Sequence, residues 1–239
     1  MALRIVFFLS FSILASAGLL WFYQTFHPLV LASEEARKSV EVSSEQLNEL
    51  NAAERLSDMI SFALLGGVLS GGLAFISATK SPMSRFLGLL TGLALGGVAG
   101  AASGFIGHWF DDASYIQISD PMMYSCLRWV LMLILIPFAV AAASAVGCDF
   151  KKDFAKNFVG ALVGAFIGVL SAAFLYAILS GMVTTVEGKN KIFPHHFSNR
   201  VLIVVATIFC TVSGVLWQSI RSTKMPPSLS AEGNAEASV

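Results

Sequence analysis

Charge is scarce in this chain. Lys, Arg, Asp and Glu make up 13% of the 239 residues, about half the share carried by an average soluble domain. That deficit excludes an ordinary water-facing surface. The formal net charge is zero and no basic run forms a stripe, so a nucleic-acid partner is not expected. Cysteine is equally sparse: Cys126, Cys148 and Cys210. The first two stand at opposite ends of one apolar stretch, about 33 Å apart at helical rise. A disulfide needs Cα atoms within about 7 Å, and Cys210 lies in the middle of another stretch. No disulfide framework is expected, and three scattered thiols make no metal site.

Two further absences bear on function. No Asp, Glu, Lys, Arg or His falls near the middle of any apolar stretch. Proton relays, ion coupling and voltage sensing rely on such groups, so coupled transport is disfavoured. Nor is there a Walker loop, a nucleophile elbow or a Ser/His/Asp arrangement. No cofactor is expected, and the chain reads as non-enzymatic.

What remains is hydrophobic: 56% of residues, with a mean hydropathy of +0.74. Six stretches, near 5–26, 59–79, 86–107, 129–148, 158–183 and 201–220, reach the roughly 20 residues that cross a hydrocarbon core. Charges such as Asp58, Arg128 and Arg200 mark their ends, and Trp and Tyr cluster there as interfacial belts do. The expected fold is all-α, a polytopic integral membrane protein of about six transmembrane helices packed through glycine-rich faces. Residues 1–32 form an anchor helix. Val30-Leu31-Ala32 before Ser33 has the look of a signal-peptide cleavage site, but the apolar run is too long for one. Residues 33–57 form a polar helical loop, opened by a capping box of Ser43 with Gln46 and able to run unbroken into the second span. Residues 58–221 hold a five-helix bundle, and 222–239, rich in Ser, Ala, Pro and Glu, read as a disordered tail.

Glycine is where the sequence is most specific. Gly88, Gly92, Gly96, Gly100 and Gly104 stand four residues apart. In water each interior glycine weakens a helix by about 0.5–1 kcal/mol. In a bilayer, small residues let helices approach closely. Four residues turn a helix by about 400°, so five glycines sweep about 160° around the axis. That width predicts two or more neighbours and a central place for the third span. Gly160, Gly164 and Gly168 repeat the pattern in the fifth span, and Gly67 and Gly71 give the second span a small face, beside a row of Gly66, Ser70 and Ala74. The match of 86–96 to 158–168 raises a duplication of hairpins 55–107 and 128–183. Pro137, mid-way along the fourth span, should kink it.

One cluster has metal-ligating chemistry. His108 is followed by Asp111 and Asp112 on one helical side, and His195-His196 lie in a later loop on the same face. Imidazoles with carboxylates suit zinc or iron, although no spacing matches a metal motif. Basic residues are densest in the shorter loops, which predicts cytoplasmic N- and C-termini in a plasma or inner membrane. The leading expectation is a structural or assembly component, with the bilayer and a homo-oligomer or membrane complex as partners. A channel or facilitator for a small uncharged solute, lined by Ser61, Ser70, Thr91, Ser103 and Thr207, comes second. A metalloenzyme at the external face is third.

Overall fold

A computed structural model describes residues 2–26, 28–38, 43–78, 81–112, 121–146, 154–183 and 197–224. Every regular element among them is a helix: α1 (Ala2–Phe26), α2 (Glu34–Lys38), α3 (Ser44–Ser77), α4 (Pro82–Asp112), α5 (Pro121–Leu133), α6 (Ile136–Val146), α7 (Phe154–Val183) and α8 (Phe197–Lys224). Six helical segments are long and apolar enough to cross a membrane, α5 and α6 together supplying the span Cys126–Val146. The chain is an all-α polytopic membrane protein. α8 extends to Lys224, so helix replaces the first residues expected of the tail, and 225–239 lie outside the described residues.

Local chemistry sets the boundaries. At the start of α3 the Gln46 N–H donates to Ser43 Oγ at 3.2 Å, and the Ser43 N–H donates to Gln46 Oε1 at 3.0 Å. This reciprocal cap opens a single 34-residue helix, about 51 Å long at helical rise. Its C-terminal part is enough for the bilayer, so the N-terminal turns project beyond the apolar segment. At α4, Ser81 Oγ accepts from the Ser84 N–H at 3.1 Å, with Pro82 in the first helical position where its missing N–H costs nothing. The fourth span is interrupted at residues 134–135. The ring of Pro137 collides with the carbonyl four residues earlier, that of Leu133, and α5 ends on Leu133.

α3 and α4 pack against each other more extensively than any other pair, followed by α7 and α8. A methyl group placed on Gly92 would lie 2.5 Å from the Gly71 Cα; on Gly104, 2.8 Å from the Met59 Cα. At Gly96 and Gly100 it would overlap the carbonyl oxygens of Gly66 and Phe62. A Cβ on Gly67 or Gly71 would stand 3.2 or 3.1 Å from the Leu93 or Leu89 carbonyl oxygen, and Gly88 is buried. In the second pair, a Cβ on Gly164 would stand 2.6 Å from the Gly214 carbonyl oxygen, and one on Gly168 would overlap Cys210 and Thr211 backbone. Gly160 is looser, 3.6 Å from Gln218 Cγ. In both pairs the matched positions step by four residues in opposite directions.

The central position expected of α4 falls instead to the second and fourth spans. The apolar windows of α3 and of Cys126–Val146 are 56% and 61% buried and that of α4 only 28%, with Leu90, Val98 and Phe105 of α4 exposed. From Gly92 to Gly104 the ladder faces one neighbour. A repeat of four exceeds 3.6, and two such rows follow one another when the helices wrap right-handedly, so the drift of 160° is absorbed by matching drift in α3. Leu65, Leu69 and Leu73 occupy the adjacent face of α3 and are fully buried with Met132, Ile136 and Ile208.

The second close pair is α7 with α8, and the fourth and fifth spans, α5–α6 and α7, also pack together. α1 packs on α3 and α8, while α5 and α6 pack on α7 and α4. Exchanging spans one to three with spans four to six maps these pairings onto one another, but the contact of α3 with α6 has no comparable contact of α7 with α1 among the described residues.

Candidate functional site

Ionisable side chains gather at one end of the bundle. Tyr23 of α1 is fully buried. Its hydroxyl donates to the Ser61 carbonyl of α3 at 2.5 Å, and its own carbonyl accepts from Arg200 Nη1 of α8 at 2.9 Å. Three helices are thereby tied at one residue. Ser61 Oγ donates back to the Ser57 carbonyl at 2.8 Å, and Ser57 Oγ accepts the Leu29 N–H at 2.9 Å. Beneath this layer Trp129 packs between Phe62 and Tyr176, with ring centroids 6.0 and 4.7 Å away.

Two buried side-chain pairs complete it. His108 Nε2 of α4 stands 3.2 Å from Asp58 Oδ2 of α3, their side chains 11% and 1% exposed. Arg128 Nη2 of α5 stands 2.8 Å from Asp111 Oδ2, whose other oxygen accepts the Tyr124 hydroxyl at 2.5 Å. Burial, then the hydrogen bond to Asp111 and that residue's negative charge, push the Tyr124 phenol up to about 12, with Arg128 opposing. In a low-dielectric setting the Arg128 and Asp111 charges are held by each other, so this layer fixes helix positions as well as carrying charge.

Asp58 and Arg200, read from sequence as markers of span ends, are instead buried between helices at 1% and 5% exposure. Arg128 is largely enclosed as well. Of the expected metal ligands, His108 and Asp111 have side chains among those described. α4 does persist to Asp112, but His108 turns to α3 and Asp111 to α5. His195 and His196 lie outside the described residues, and among those described no group of three or more metal-ligating side chains comes together. The hydroxyls of Ser61 and Ser103 donate to carbonyls one turn back in their own helices, a self-satisfied arrangement. Compared with known protein families, curated proteins and solved structures, the chain matches none.

Proposed function

We propose that this chain is a non-enzymatic multi-pass membrane protein acting as a structural or assembly component. The observation that carries the reading is a filled interior. Phe62, Leu65, Leu69, Met132, Ile136 and Ile203 are all 0% exposed where the spans meet, and two glycine-meshed pairs brace them. Such a bundle offers its outward face to lipid, to a second copy or to other membrane chains. In mild detergent the protein should run as a homo-oligomer or with a stoichiometric partner, well above its 25.5 kDa chain mass. A monodisperse monomer without partners would overturn it.

Basic density in the shorter loops supports cytoplasmic termini in a plasma or inner membrane. In a cysteine-free background, a cysteine at Ser44 should react with an impermeant maleimide in intact cells, and one at Ser230 should not. The reverse pattern sinks that orientation.

A facilitator is the second reading. Ser70, Ser144, Thr207 and Thr211 are buried, and their hydroxyls have no hydrogen-bond partner. Buried hydroxyls normally find one, and a hydrated path would supply it. The interrupted fourth span and the exchange of spans one to three with four to six belong with the same idea. Liposomes holding the protein should pass glycerol and urea no faster than empty liposomes under the leading reading. A several-fold faster rate would replace it with the second.

A further inference from the structure

The polar layer has a counterpart at the far end of the bundle. Arg4 of α1, Arg85 of α4 and Lys156 of α7 are exposed. Measured along their helices from Tyr23, His108 and Tyr176 of that layer, they stand about 29, 35 and 30 Å away. A hydrocarbon core is about 30 Å thick, so three helices each deliver a cation to the opposite water boundary. α8 adds Arg221 and Lys224 in its last turns. Register brings them to the same level. A Cβ on Gly160 would meet Gln218 Cγ, so Lys156, one turn before Gly160, is level with Ser222, beside Arg221.

Charge is sorted between the two ends. Among the described residues every Asp and Glu lies on α2, in the N-terminal turns of α3 or in the last turn of α4. None stands at the cationic end to neutralise it. The connection 147–153, outside the described residues, carries two Asp and two Lys and adds no net charge. Arg85 is the best fixed of the three: its Nε donates to the Ala78 carbonyl at the end of α3 at 3.3 Å. α4 packs on α3, α7 on α8, and α1 on both α3 and α8, which spreads the cations around the rim instead of gathering them in one pocket. Their countercharge comes from outside the chain. At the depth of a headgroup layer the fitting anion is a phospholipid with net negative charge.

We propose that this end of the bundle binds anionic phospholipid, with Arg4, Arg85 and Lys156 each holding a headgroup phosphate. The inference rests on neither the assembly reading nor the orientation of the chain.

Native mass spectrometry of the full-length protein, exchanged in detergent between phosphatidylglycerol and phosphatidylcholine, tests it. Phosphatidylglycerol should be retained in preference, by about five-fold for a lipid beside one cation. Arg4→Gln, Arg85→Gln and Lys156→Gln should each lower that preference, and Lys156→Arg, which keeps the charge, should preserve it. Arg37→Gln, on an exposed side chain at the opposite end, should leave it unchanged. Added salt should weaken it, because exposed charges are screened. Equal retention of the two lipids by the wild type, or an undiminished preference in all three Gln variants, would overturn the proposal. So would a loss in Arg37→Gln as large as that in Lys156→Gln, or full displacement of the lipid by inorganic phosphate.

Discussion

Gly96→Leu should lower the melting temperature in detergent by about 2–12 °C, while Gly97→Leu should leave it nearly unchanged. The expectation rests on backbone, not on side chains that could rotate away. A Cβ at Gly96 would overlap the Gly66 carbonyl oxygen and stand 2.7 Å from both the Gly66 carbonyl carbon and Ser70 Oγ. Nothing there can move without separating α3 from α4. Overpacking a soluble core costs about 1–3 kcal/mol, and for a chain of this size each kcal/mol is worth about 2–4 °C. Gly96→Ala should already show much of the loss. At Gly97 the nearest atom to an added Cβ is the Ala63 carbonyl oxygen at 3.9 Å, ordinary contact, and Gly97→Ala should stabilise slightly by restricting the unfolded chain. Equal losses at 96 and 97 would mean that the four-residue row is not the α3 interface.

The same row explains what the sequence could and could not disclose. Six spans follow from length and hydropathy because a bilayer demands both. The ladder follows from spacing. Its partner is harder to see, because α3 meets Gly100 through the carbonyl of Phe62, while the Phe62 ring turns to Trp129. A backbone contact leaves no mark on residue identity. The polar layer was hidden differently. Asp58 and Arg200 sit where charges usually meet headgroups, and one sequence gives no reason to turn them inward. A signal was nonetheless present. Stepping four residues beyond Gly104 reaches His108, and stepping back four from Phe62, in the row of Gly66 and Ser70, reaches Asp58. Asp58 already stands opposite Gly104 on these antiparallel rows, and His108, one turn beyond Gly104, reaches back to it. The break in the fourth span was half legible: Pro137 announces it, but the interruption falls one turn earlier because the clash is with the Leu133 carbonyl.

Asp58→Ala should be the most damaging single change outside the glycine rows. The pair it forms with His108 lies at the last step of the α3–α4 mesh, where Gly104 meets the Met59 and Asp58 backbone. Asp58 also lies one residue from Ser57, which anchors the chain after α1 through Leu29. Removing one member of a buried pair leaves the other polar group without its partner, at a cost of about 1–3 kcal/mol. At about 2–4 °C per kcal/mol that is a fall in melting temperature of roughly 2–12 °C. The pair's own share is separable. His108→Ala alone, Asp58→Ala alone and the double variant form a cycle, and contacting residues show coupling of about 0.5–3 kcal/mol. The double variant should therefore be less destabilised than the sum of the singles, since the second deletion removes a polar group already stranded by the first. Strictly additive losses would dissolve the His108–Asp58 link. The polar end would then be held by the Tyr23, Ser61 and Arg200 contacts and by the Asp111–Arg128 pair.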